Sequence, residues 1–183
     1  MKRTILVFGL ISGALSSLMM LATMKFVDKI GFDKGEYVGY TAIVLSFLLV
    51  FFGIRSYRDN VGNGQITFTK GFAVGICITL ISCIFYVVTW EALYFTVMHD
   101  FMDKYSAYMV EKLKASGASA AALQAQVQEL KKYKEWYENP FYNAAMTFVE
   151  PFPVGLVITL ISAAILRKKP QSQAVPAPLP ASS

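Results

Sequence analysis

Four long apolar runs constrain this chain more than any other feature of its sequence. They cover about residues 4–24, 37–54, 71–92 and 144–166, and the first holds no charged side chain between Thr4 and Met24. As a helix with a rise of 1.5 Å per residue, that run is about 31 Å long, close to the roughly 30 Å of hydrocarbon in a bilayer. Uncharged runs of this length are not typical of soluble core helices. The sequence therefore predicts an all-α membrane protein with four transmembrane helices.

Lysine and arginine residues near the ends of the runs indicate the orientation. On the side of the N-terminus, eight cations and one acid flank the runs, and all four arginines of the chain lie there. On the other side, lysines and acids are nearly balanced. Because cytoplasmic loops are enriched in lysine and arginine, we expect a multi-pass protein of the inner (plasma) membrane, N-in and C-in. The cations are Lys2, Arg3, Arg55, Arg58, Lys70, Arg167, Lys168 and Lys169, and the acid is Asp59.

The formal charge of +5 is explained by this asymmetry, and no basic, aromatic-laced motif indicates nucleic acid. The expected partner is the lipid bilayer. A proline-, alanine- and serine-rich tail, residues 170–183, is predicted to be a disordered cytoplasmic segment.

A helical hairpin is predicted between the third and fourth runs, over about residues 100–139, on the external side. Apolar residues from Phe101 to Leu113 fall on one helical face, Ser119 can cap a second helix, and Asn139-Pro140 ends it. We interpret the hairpin as a pair of helices that shield their own apolar seam. The alternative is a surface that binds a protein partner.

Small residues recur every four positions along three of the runs. Close approach of helix backbones in lipid requires such residues, so these faces are predicted to point into the bundle. A homo-oligomer through the first span is the alternative. The residues concerned are Gly9 and Gly13 in the first run, Gly71, Gly75 and Thr79 in the third, and Gly155 and Thr159 in the fourth.

One nonapeptide occurs twice, at Val74–Ser82 and at Val154–Ser162, with seven of nine positions identical. The two runs cross the membrane in opposite directions. The repeat is therefore either a trace of inverted duplication or a shared solution to helix packing.

Two glutamates interrupt the last two runs. Glu150 is followed by Pro151 and Pro153, which should kink the fourth helix or begin it there. Helix rise places Glu91 about 30 Å from Gly71 and Glu150 about 24 Å from Leu166, so both fall near the outer boundary. Either both reach interfacial water, with Glu150 as a helix cap, or the two form a carboxylate site for a proton, a cation or a basic ligand.

No pattern predicts catalysis. The chain has a single histidine, His99, and its two cysteines lie six residues apart in one run, too far along a helix for a disulfide. Phosphate-binding loops, nucleophile elbows and zinc motifs do not occur. We therefore expect no enzymatic activity, no catalytic residue, no metal and no cofactor.

Five segments of the chain form a recognisable set: Phe8–Gly13, Val50–Asp59, Asp100–Tyr105, Glu150–Leu156 and Ile165–Arg167. Together they resemble the bacterial domain of unknown function 4199. The resemblance covers about residues 1–169 and implies a small inner-membrane protein of four helices, without implying a mechanism. Two functions fit: a non-enzymatic envelope or accessory protein, or a small transporter or channel-like protein using Glu91 and Glu150.

Overall fold

The computed structural model describes residues 1–168, which form seven α-helices joined by short turns. The predicted tail, residues 170–183, lies outside the described residues. The helices are α1 (Lys2–Ile30), α2 (Phe32–Asn60), α3 (Phe68–Thr96), α4 (Phe101–Ala115), α5 (Ala120–Tyr137), α6 (Pro140–Val149) and α7 (Pro151–Leu166).

Four segments are long and apolar enough to cross a membrane, which confirms the predicted fold class. They are Lys2–Val27 in α1, α2, α3, and Pro140–Leu166, which comprises α6 and α7. The first three helices have 29 residues each, longer than the apolar runs. The predicted runs begin or end beside the charged residues Lys25, Glu36, Arg55 and Lys70, whereas helical hydrogen bonding continues through such residues.

The bundle has two different ends. At the terminal end lie residue 1, the turn from 61 to 67 and residues 167–168, where Ile66 and Lys168 exchange two backbone hydrogen bonds of 3.0 and 2.9 Å. At the hairpin end lie α4 and α5. There α1 and α2 are joined by Gly31 alone, with a φ of 80° that favours glycine.

The hairpin has the predicted capping. Gly117, with a φ of 78°, follows α4, and the hydroxyl of Ser119 accepts a hydrogen bond of 3.3 Å from the backbone N–H of Ala122 at the start of α5. The side chain of Asn139 accepts from the backbone N–H of Phe141 at 3.0 Å and so caps α6.

The repeated nonapeptide forms the contact between α3 and α7. A Cβ added to Gly75 would lie 2.8 Å from Cγ2 of Thr159, and a Cβ added to Gly155 would lie 2.5 Å from Cγ2 of Thr79. The hydroxyls of Thr79 and Thr159 lie 3.0 Å apart in a buried hydrogen bond. Because the helices are antiparallel, the glycine of each copy faces the threonine of the other in a local two-fold arrangement. Shared helix packing accounts for the repeat, and an inverted duplication would produce the same arrangement.

The small residues of α1 pack against α3 of the same chain. A Cβ on Gly9 would lie 2.9 Å from Cβ of Ile81, and one on Gly13 would lie 2.7 Å from Cγ of Phe85, both on α3. The hydroxyl of Ser12 also donates to the backbone carbonyl of Ser46 on α2 at 2.9 Å. α1 is therefore held against both neighbours by close backbone approach.

Replacing Gly75 or Gly155 by alanine should destabilise the bundle, because the added methyl group overlaps Thr159 and Ile54 in the first case and Thr79 and Phe47 in the second. Overpacking of this kind costs about 1–3 kcal/mol. Thermal unfolding in detergent measures the effect. Gly39→Ala is the matched control, since no atom lies within 4 Å of its added Cβ. Equal melting temperatures for all three variants would contradict the packing described above.

Candidate functional site

The fourth span is broken at Glu150. α6 ends at Val149 and α7 begins at Pro151, with Glu150 between them at φ −67° and ψ −59°. Pro151 and Pro153 have no backbone N–H, so the carbonyls of Thr147 and Val149 lose their usual helical partners, and the proline rings bend the axis. Pro151 is fully buried at this break, whereas Pro153 is exposed.

The break changes which helices the fourth span contacts. α7 packs against α2 and α3, whereas α6 packs against α3 and α5 and makes no comparable contact with α2 in the part of the chain described. A gap therefore opens between α2 and α6 on the hairpin side of Glu150.

This gap is a half-enclosed cavity of about 450 Å³, lined by α1 to α6 and by Glu150. Of the 22 described residues that line it, nine are aromatic and five are methionines. The charged residues among these 22 are Asp33, Glu36, Lys112 and Glu150.

Glu150 is held in place by a hydrogen bond. The hydroxyl of Tyr86, on α3, donates to Oε2 of Glu150 at 3.1 Å, and both side chains are half-buried. Tyr86 and Trp90 are one helical turn apart and share the side of α3 that lines the cavity. The carboxylate is thus fixed beside an aromatic wall.

A family model described as "Protein of unknown function (DUF4199)" matches residues 7–168. The chain belongs to the DUF4199 family. The resemblance noted from the sequence is therefore confirmed. No curated protein and no solved structure matches the chain.

The structure does not bring together the two glutamates singled out in this DUF4199 sequence. Glu91 follows Tyr86 by five residues, which is about 140° around the helix. It lies on the side of Ile84 and Val88, which are 57% and 61% exposed, and it does not line the cavity. Its Oε1 atom is buried without a hydrogen-bond partner among the described residues.

The second glutamate on the cavity is Glu36, on α2. The second apolar run begins at Tyr37, so the sequence predicts a loop at Glu36, whereas α2 begins four residues before Glu36, at Phe32. Its position on the cavity follows from helix periodicity, since Asp33, Glu36 and Tyr40 all fall on one side of α2 and line the cavity.

The hairpin of the DUF4199 protein forms the roof of the cavity. The ring of Phe32 lies 5.8, 5.7 and 5.2 Å from the rings of Phe101, Tyr105 and Tyr108 on α4. The Lys112 ammonium also lies 2.6 Å from the Asp33 carboxylate. This hydrogen bond raises the pKa of Lys112 above its usual value, so Lys112 stays charged beside Asp33.

A series of hydrogen bonds connects α5 to α6 at the cavity wall. The side chain of Asn143 donates to the backbone carbonyl of Tyr137 at 3.1 Å and accepts from the hydroxyl of Thr147 at 3.2 Å. Burial raises the pKa of Tyr137 to about 12 and raises that of Tyr133. Both tyrosines on the cavity therefore remain neutral at physiological pH.

Metal ligands are not assembled in the described residues, since no group of three or more histidine, cysteine, aspartate or glutamate side chains lies within reach of one ion. His99 lies in the turn before α4 and does not line the cavity. What the cavity offers is therefore aromatic surface, methionine side chains and carboxylates.

Phe32→Ala should loosen the hairpin, because each aromatic pair contributes about 0.5–1.5 kcal/mol beyond area burial and three pairs are lost. Hydrogen–deuterium exchange of residues 101–115 measures this as faster exchange. Tyr37→Ala is the matched control, since Tyr37 is 78% exposed on the same helix. Unchanged exchange in Phe32→Ala would show that the roof is held by other contacts.

Proposed function

We propose that this protein is a non-enzymatic protein of the inner (plasma) membrane that binds a small amphiphilic ligand in the cavity beneath the hairpin. The observation that carries the proposal is the cavity itself. Its volume of about 450 Å³ lies within the range of roughly 300–1,000 Å³ of small-molecule sites. Such sites combine mostly apolar walls with a few placed polar groups, and Glu150 with Tyr86 is such a group.

The residues that line the cavity are more typical of a ligand-binding site than of an empty space left by imperfect packing. Methionine side chains are flexible and adapt to ligands of different shape, and tyrosine and tryptophan present apolar faces with polar edges. Five methionines and nine aromatic residues line this one cavity. A chain that needed only a stable bundle would fill the space with branched aliphatic side chains instead.

In the proposed orientation both termini lie in the cytoplasm, and the hairpin and cavity face the outside. The arginine-rich terminal end supports this orientation through the excess of cations on cytoplasmic loops. The ligand would then enter from the outer leaflet or the external medium. A protein partner would meet the hairpin on its far surface, where Trp136 is 56% exposed, and this is the accessory role expected from the sequence.

A transporter is the second candidate, and the break at Glu150 is the observation that favours it. Discontinuous helices at a binding site are typical of secondary transporters. On the other side of the break, however, Gly155 packs against Thr79 and Phe47, so the cavity does not continue toward the terminal end in this conformation. Binding is therefore the simpler function.

The orientation is tested with single cysteines in a Cys77→Ser/Cys83→Ser background. An impermeant thiol reagent added to intact cells should label a cysteine at Ser119, in the hairpin turn. It should leave a cysteine at Asn60, at the terminal end, unlabelled until the cells are opened. Labelling of the Asn60 position in intact cells would contradict N-in, C-in.

The cavity is tested with Gly39→Phe, because Gly39 lines the cavity and has open space around its Cβ. In a Trp136→Phe background, Trp90 on the cavity wall is the remaining tryptophan. We expect saturable quenching of Trp90 by at least one member of a set of 11-bromoundecyl amphiphiles with neutral, cationic and anionic head groups. Gly39→Phe should abolish this quenching.

Val44→Phe is the matched control, since Val44 is 42% exposed on the same helix and does not line the cavity. It should retain the quenching of the unsubstituted background. If no amphiphile quenches Trp90 saturably, or if Gly39→Phe and Val44→Phe behave alike, the cavity is not a binding site.

A further inference from the structure

We infer that the ligand of the cavity is an organic cation, an amine or quaternary ammonium ion with apolar substituents, whose charge lies against Glu150. This inference rests on the proposed binding function and names the class of ligand. It follows from the charge and the aromatic walls of the site.

Two of the four charged residues described on the cavity lining form an ion pair with each other, and two do not. Of the four charged lining residues, Lys112 lies 2.6 Å from Asp33 at the edge of the roof, and these two charges compensate each other. Glu36 and Glu150 remain, and neither forms an ion pair with a lysine or arginine among the described residues. When these two carboxylates are ionised, the cavity has a surplus of negative charge for which the described residues provide no counter-ion.

The walls around this charge suit a cation with apolar substituents. A cation within about 6 Å of an aromatic face is attracted by the quadrupole of the ring, more strongly as water is excluded. Tyr86, Trp90, Tyr133 and Tyr137 line the same cavity as Glu150. Trp90 is fixed by Phe101, whose ring lies 5.0 Å away at 80°, so this wall is preorganised.

Other ligand classes fit less well. An anionic amphiphile would approach Glu36 and Glu150 against electrostatic repulsion. A neutral amphiphile would use the aromatic walls but leave both carboxylates without a counter-ion. An inorganic cation would lose its hydration shell to aromatic surface, and no cluster of three metal-ligating side chains exists in the described residues. An organic cation alone uses both the walls and the charge.

The test compares two ions of the same shape and opposite charge, tetraphenylphosphonium and tetraphenylborate. Equilibrium dialysis against nanodiscs that contain the protein, with empty nanodiscs as the blank, measures specific binding of each. We expect saturable binding of the phosphonium ion and none of the borate ion. Because loss of a charge partner in a desolvated site is costly, Glu150→Gln should weaken phosphonium binding by more than about tenfold.

Three variants test whether the charge of Glu150 binds the cation. Glutamine retains the oxygen that accepts the Tyr86 hydrogen bond, so Glu150→Gln removes charge at constant shape. Glu36 lies on the exposed side of the cavity. Glu36→Gln should weaken phosphonium binding several-fold without affecting folding, and it replaces Glu150→Gln as the test if that variant is unstable. Glu91→Gln is the matched control on the far side of α3 and should bind as the unsubstituted protein does.

Equal binding of the two ions overturns the inference, and so does phosphonium binding that a folded Glu150→Gln variant does not weaken. If Glu150→Gln does not fold, phosphonium binding that Glu36→Gln does not weaken overturns it. Absence of phosphonium binding overturns it as well. In each case, saturable quenching of Trp90 by any bromoundecyl amphiphile, lost in Gly39→Phe, leaves the proposed binding function standing. If no amphiphile quenches Trp90 saturably either, both the cation inference and the proposed binding function are wrong.

Discussion

The reciprocal contact of Gly75 with Thr159 and of Gly155 with Thr79 is the interaction on which the rest of the structure depends. The hydrophobic effect contributes little to the association of helices in lipid, so association requires close packing and buried polar contacts. Both occur here at one place, with two glycines and a hydroxyl pair 3.0 Å apart. This contact fixes α7 against α3, and α2 packs on the same pair.

With α7 fixed, the prolines determine where the fourth span can go. Pro151 is fully buried at the top of the fixed segment, and beyond it α6 continues along α3 but away from α2. The cavity is thus a consequence of tight packing on one side of Glu150 and a helix break on the other. The hairpin then covers the gap, held by Phe32 and by the pair of Lys112 with Asp33, so that the walls beside Glu150 and the roof come from different parts of the chain.

Much of this arrangement could be predicted from the sequence, because its signals are local. Apolar length indicated four spans, glycine spacing indicated the packed faces, and Pro151 and Pro153 indicated the break. The grouping of side chains around Glu150 could not be predicted in the same way. Helix rise gives the height of Glu91 and Glu150 in the membrane but not the side of α3 on which Glu91 lies. The partnership with Tyr86 and the place of Glu36 depend on helix rotation, which only the assembled bundle fixes.

The central claim is that a water-accessible cavity separates α2 from α6 beside Glu150. Its most direct test is the reactivity of single cysteines on α6 in nanodiscs, in a background lacking Cys77 and Cys83. Met146 lines the cavity, whereas Val149 does not line it and is 59% exposed on the outside of the bundle. A water-soluble thiol reagent should modify a cysteine at Met146 rapidly and one at Val149 slowly, because the latter faces lipid. Slow modification at Met146, or equal rates at the two positions, would contradict the cavity.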